Sequence, residues 1–189
     1  MFMEYINKEK LINSILYFTK KVKYLGKTKI CKLLFYLDFA HFKETGKSVT
    51  GLDYYTWEKG PVPKSLFYEL SGDTISEEFQ PYIEIIKREK LHEICSKLKP
   101  NLSVFSKRET RILEEVAEIY KFTKAEEMTE ISHLKENPWY TTLKNKGEKK
   151  KIDYMLALDD TVESIGKEEA IVRQKFIQET YEMLNNGRT

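Results

Sequence analysis

Three side chains in the N-terminal half are of types that could do chemistry together. Asp38 and His41 stand three positions apart, so on a helix they share a face. An aspartate that orients an imidazole is the arrangement of a general base. Cys31 lies seven positions before Asp38 and faces the same way, so a thiol–imidazole nucleophile can be drawn. Its geometry is poor, because two helical turns put the thiol roughly 10 Å from its base. A polar pair satisfied inside the core, holding neighbouring loops by hydrogen bonds, accounts better for Asp38 and His41. The three histidines and two cysteines show neither Cys-x-x-Cys nor His-x-x-x-His spacing. A glycine-rich phosphate loop, Gly-x-Ser-x-Gly and the paired acids of a hydrolase are also missing. No catalytic residue, cofactor or metal is therefore expected.

The element that must carry these residues runs from Lys29 to Thr45. Ile30, Leu33, Leu34, Leu37 and Ala40 form one apolar stripe and Cys31, Phe35 and Phe42 another, with Lys32, Asp38 and His41 as the polar exceptions. A helix apolar on most of its circumference has to be buried on most sides. Before it, Asn7 is placed to cap a helix from Lys8 to Lys23, with Leu11, Ile15, Phe18 and Val22 inward and Gly26 closing it. Thr28 then caps the central helix. After the helix come Gly46, a turn at Thr50-Gly51, an aromatic strand from Leu52 to Trp57, and Gly60-Pro61 to end that strand. Pro63 suits the first turn of a short helix, Lys64 to Leu70, which Gly72-Asp73 breaks.

Further along, residues 82–86 and 91–98 suit a hairpin turning at Glu89-Lys90, although the second piece also fits a helix. Ser106 with Glu109 forms a capping box, and Thr123 with Glu126 repeats it for a helix ending near His133. That second helix carries Glu126, Glu127 and Glu130, which argues against its reading DNA as a recognition helix. Asn137-Pro138-Trp139 opens the next element, and a charged loop spans Gly147 to Lys151 before an apolar piece, Ile152 to Leu158. Residues 167–185 read as an amphipathic helix with Val172, Phe176, Ile177, Tyr181 and Leu184 inward, stopped at Asn186-Gly187. The fold class is mainly α (α+β): a helical domain around a buried central helix, with a small antiparallel hairpin or sheet.

The chain has 189 residues, 41% hydrophobic and 33% charged, with a formal net charge of +2, which suits one domain and excludes a binder driven by global charge. Charge is unevenly placed: residues 1–50 hold ten lysines against four acids, and residues 151–189 hold five bases against eight acids. Lys20, Lys21, Lys23, Lys27 and Lys29 could form a face for an acidic partner or nucleic acid. Two cysteines without a framework, and no apolar run of spanning length, point to a reducing, cytoplasmic setting without membrane insertion.

The order of landmarks is LGKTKICKLLFYLDFAHFKETGKSVTG, YYTWEKGPVP, LSVFSKRETRILEEV, EISHLKENPW and KIDYMLAL. Together these resemble the SocA-like antitoxin family, whose shared domain is called Panacea, over roughly Tyr5 to Leu158. The resemblance implies a mainly helical domain over residues 1–160, with residues 161–189 as a helix packed on it or extending it. It implies an antitoxin of a bacterial or phage toxin–antitoxin pair that binds and blocks its cognate toxin, for example an enzyme modifying nucleotides or RNA. Some members are regarded as adaptors delivering the toxin to a protease. Many carry an added N-terminal DNA-binding domain; this chain starts almost at the shared domain, which weakens any inference of DNA binding. A homodimer is compatible with the pattern. The landmark residues Lys32, Asp38, His41, Gly46, Gly51, Trp57, Gly60, Pro61, Pro63, His133, Pro138 and Trp139 are expected to be structural. Asp53, Tyr54, Tyr55, Glu58 and Lys59 are the candidates for contact with a toxin, since tyrosine supplies interface area at low entropy cost. Acidic residues Glu58, Glu77, Glu78, Asp159 and Asp160 could complement a basic toxin cleft.

Overall fold

The computed structural model describes residues 6–70, 75–88, 92–135 and 137–186. The Gly72-Asp73 break, the Glu89-Lys90 turn and the Gly187 stop lie outside them. Among the described residues 55% are helical, in seven α-helices and two 3-10 turns, beside two small two-stranded antiparallel sheets, which makes the chain mainly α (α+β). Helix α1 (Lys8–Lys21) opens where Asn7 accepts the backbone N–H of Lys10 at 3.0 Å. It ends two residues earlier than its pattern suggests, because Val22 and Leu25 leave the helix to enter the core. Tyr24 makes that bend in the left-handed region, at φ 56°. Gly26 does not close α1. It stands immediately before α2 (Lys27–Thr45), where its carbonyl accepts from Ile30 N at 3.0 Å, so Gly26 takes the capping position assigned to Thr28.

Helix α2 is the spine. Ile30, Leu33, Leu34 and Leu37 have no exposed surface, and Cys31, Phe35 and Phe42 have almost none. Burying each such side chain contributes about 1.5–3 kcal/mol, so one 19-residue helix anchors much of the core. Around it stand α1, α4 (Lys107–Ile119), α5 (Ala125–Ser132), strand β2 (Gly60–Pro63), strand β4 (His92–Ser96) and a 3-10 turn at Tyr154–Ala157. Ser106 and Glu109 close the capping box of α4 as their spacing requires. For α5 the reciprocal bond is shifted by one: Glu127 accepts from Lys124 N at 2.7 Å. The Thr123 carbonyl is held by the Lys29 ammonium, which delays the helix start past Thr123.

Strand β1 (Tyr54–Trp57) pairs with β2, so Gly60-Pro61 begins a return strand and does not end the sheet. Pro61 and Pro63 stand opposite Thr56 and Tyr54. Those two residues aim backbone groups at the other edge, where Thr56 N donates to Lys150 O at 3.0 Å and Tyr54 O accepts from Ile152 N at 2.8 Å. A strand can therefore hold prolines at the positions whose N–H groups the ladder does not use. The charged loop from Gly147 is thereby tied to β1 as a third rung. After α3 (Lys64–Glu69), strand β3 (Ile83–Lys87) pairs antiparallel with β4, so the second piece is a strand over His92–Ser96 and not a helix. Helix α6 (Pro138–Lys146) starts where Asn137 accepts from Trp139 N.

The last helix, α7 (Lys167–Asn186), turns only part of its expected stripe inward: Ile177 and Tyr181 are half-buried. Val172, Phe176 and Leu184 are 66%, 69% and 62% exposed, and the buried residues are Ala170 and Gln174. The reason lies at the end of α2, whose last carbonyls have no partners within the helix. Ile165 N donates to Lys43 O at 2.9 Å, Arg173 to Thr45 O at 2.8 Å, and the Gln174 amide to Gly46 O. Gly46 takes φ 70°, and a Cβ there would stand 3.3 Å from the Ala170 backbone. Polar capping and close approach of small residues orient α7 in place of apolar burial.

Candidate functional site

Asp38 is wholly buried, and four donors converge on its carboxylate. Val49 N and Thr50 N each donate to Oδ1 at 2.8 Å, while the hydroxyls of Thr50 and Tyr54 donate to Oδ2, the latter at 2.7 Å. Burial pushes its carboxyl up to about 6 in spite of these donors. His41 is not part of this group. Its Nδ1 faces Lys47 O at 2.6 Å, and burial lowers its pKa, so it enters the same loop through a separate bond. Asp38 and His41 thus hold the 46–51 segment from two sides. Gly51 completes the turn at φ 75° and donates to Ser48 Oγ. Burial pushes the Cys31 thiol up to about 12, so it is not a thiolate at neutral pH. Among the described residues no group of three His, Cys, Asp or Glu converges.

Two lysines are buried next to these groups. The Lys32 ammonium donates to Lys59 O inside the β1–β2 turn, and Gly60 leaves the room for it: a Cβ there would overlap Lys32 Nζ and stand 2.7 Å from Ser132 Oγ. Lys29, which the basic-face expectation counted as exposed, has no exposed surface and donates to Lys23 O at 2.7 Å and to Thr123 O. Burial brings both ammoniums down to about 8. Lys27 lies over the Phe67 ring at 4.2 Å. The five-lysine cluster is therefore not one face. Only an unusual lysine inside the apolar run could have signalled Lys29 from sequence.

The hairpin divides its residues sharply. Tyr54 has no exposed surface, with its hydroxyl on Asp38, and belongs to the core with Phe35, Phe39 and Tyr154. Glu58 and Lys59 are exposed, and Asp53, Tyr55 and Trp57 are half-buried. Trp57 packs on Phe67 at 5.0 Å and its carbonyl accepts from Trp139 Nε1 at 3.2 Å, while His133 stacks on Trp139 at 3.9 Å. Beside Asp53 is a recess of about 500 Å³ with Phe42, Ile152, Tyr154 and Met155 in its wall and Lys146, Lys150 and Lys151 around it. Lys151 pairs with Asp53 at 2.5 Å. Lys150 and Lys151 had no signal beyond charge; the rung to β1 is what brings them here. Of the acids considered for a toxin cleft, Glu78 and Asp159 are engaged by Lys8 and Lys43, each at 2.7 Å.

Residues 30–140 match the family described as antitoxin SocA-like, Panacea domain. The chain belongs to that family. No curated protein and no solved structure matched it. The matched stretch of this SocA-like chain begins inside α2 and ends inside α6, so it contains the Asp38 node, the Lys32 tether, both hairpins and the His133–Trp139 stack. Among the described residues no helix is long and apolar enough to cross a membrane.

Proposed function

We propose that this SocA-like chain is the antitoxin of a toxin–antitoxin pair and blocks its cognate toxin by direct protein contact, with no catalysis of its own. Membership of the antitoxin family carries the reading. It is supported by the interior chemistry: the groups that could act as base or nucleophile are consumed in holding loops, and the thiol is protonated. The contact face in this proposal is the outer side of the β1–β2 hairpin, through Asp53, Tyr55, Glu58 and Lys59, with the adjoining recess as the seat for a toxin side chain. Tyr54 serves this face from beneath by fixing the strand on Asp38. The binding domain is residues 1–160, with 161–189 as an appended helix, and the setting is the cytoplasm of a bacterium or of a phage-infected cell.

Co-expression with the product of the adjacent gene tests the function. A stable complex and restored growth are expected; neither complex nor rescue would sink the proposal. Tyr55→Ala with Glu58→Lys tests the face, and is expected to weaken rescue while leaving the chain folded. Rescue unchanged by that pair would move the contact elsewhere and leave the antitoxin role standing. Rescue accompanied by faster toxin loss and dependence on a host protease would identify the adaptor route.

A further inference from the structure

Drawing the lysine-rich stretch 144–151 onto β1 sets a free backbone edge against an apolar recess. Tyr55 and Lys151 stand opposite each other, while Thr56 N donates to Lys150 O and Ile152 N to Tyr54 O. In that antiparallel pattern the N–H and C=O of Lys151 point away from β1. No backbone group meets them among the described residues. A strand edge dense in lysines repels its own kind, so it is a template for a strand of opposite charge.

The edge residues 150–153 also line the recess of about 500 Å³. Two of the carboxylates and one lysine around it are already engaged: Lys151 pairs with Asp53 at 2.5 Å, and Asp153 accepts from Met155 N at 2.9 Å. Lys146 and Lys150 are exposed and make no ion pair among the described residues. Glu148, the acid between them in sequence, does not line the recess. Lysines therefore outnumber carboxylates at the rim, and Lys144 and Lys149 add further positive charge from the same stretch. A nucleic acid fits this place poorly. Phe42 and Tyr154 stack on each other at 5.2 Å and are 1% and 7% exposed, so neither offers a ring face to a base. The carboxylates of Asp53 and Asp153 also oppose a chain of phosphates.

We propose that the recess and its edge take an extended acidic segment of a partner protein, with one large apolar side chain in the recess. Its flanking carboxylates meet Lys146 and Lys150, and its backbone pairs with the free N–H and C=O of Lys151. That the partner is the toxin rests on the antitoxin reading above; the chemistry of the segment rests on the recess alone.

Titrating the isotope-labelled full chain with a Glu-Asp-Phe-Asp-Glu peptide, followed by amide NMR, tests the site without a toxin. Shifts are expected at residues 150–155, led by the Lys151 amide. Replacing the peptide's Phe by Ala, or its acids by lysines, is expected to weaken binding about tenfold. Lys146→Glu with Lys150→Glu is expected to abolish the shifts with an unchanged melting curve, because both side chains are exposed and unpaired. Absence of these shifts at millimolar peptide overturns the proposal, and so does equal binding of acidic and basic peptides. An oligothymidylate that produces the shifts where the acidic peptide does not would make the lysines a nucleic-acid contact and the proposal wrong. In a complex with the adjacent gene's product, the same charge reversal is expected to raise the Kd about tenfold, with a smaller loss at high salt. An unchanged Kd in a complex that does form overturns the assignment of the segment to the toxin and leaves the antitoxin role standing. If no complex forms, the antitoxin reading falls and the peptide titration alone decides the site.

Discussion

At the scale of single residues, the polar groups inside α2 act as tethers, and their titration should be visible in stability. Asp38→Ala removes the acceptor for Val49 N, Thr50 N and two hydroxyls. The expected loss is about 3–5 kcal/mol in urea unfolding, because each buried donor left alone costs about 1–3 kcal/mol before the loop relaxes. The folded carboxyl titrates near 6, above its ordinary 3.8. Its stabilising contribution is therefore fully present below about pH 4 and is lost as pH rises toward 6. The stability difference between wild type and Asp38→Asn should shift against wild type across that window, by up to about 3 kcal/mol. Lys32 has the opposite sign. Its folded value near 8 lies below the ordinary 10.5, so the unfolded chain binds more protons between those limits and stability rises with pH there. Lys32→Met should flatten that rise in the same denaturation series. Sequence spacing exposed Asp38 and His41 but suggested a pair. Only their separate partners, at positions 47 to 54, show two independent anchors.

At the scale of elements, Gly46 joins α2 to α7. Gly46→Ala places a Cβ at φ 70° and within 2.9 Å of Ile165 Cδ1. The expected cost is about 1–3 kcal/mol, with faster amide hydrogen exchange across α7 than across α4. Equal protection of the two helices would show that Gly46 does not seat α7. Helix positions were largely legible, because the apolar period of α2 and the capping box of α4 are local signals. The inward face of α7 was legible only at Ile177 and Tyr181. Periodicity reports that a helix has an apolar stripe; it does not report that the neighbouring helix end offers carbonyls better met by Gln174 and Arg173. The β2 strand was likewise hidden, since prolines argue against a strand until the third rung from Lys150 shows which positions are free of the ladder.

At the scale of the whole molecule, one heavily buried helix is surrounded by elements that each present a tethered turn. The proposed toxin face is the β1–β2 turn, which Lys32 holds from below and Trp139 from the side. Gly60→Ala should therefore weaken toxin binding without touching the toxin, because its Cβ displaces the Lys32 ammonium that seats the turn. The check is complex formation by the variant against its melting temperature. Binding lost together with a fall of a few degrees marks coupling between core and face. Binding intact in a destabilised variant would separate the two.

What the sequence determined by itself was the buried spine, most helix starts and, through the order of its landmarks, membership of the SocA-like family. These rest on local spacing: apolar period, caps and turn residues act within a few positions of one another. The tertiary structure alone decided that Tyr54 and Lys29 point inward, that the 147–151 loop joins the sheet, and that Val172, Phe176 and Leu184 of α7 face outward. Each of those outcomes depends on a donor or acceptor many residues away, and the satisfaction of buried polar groups is a property of the assembled core.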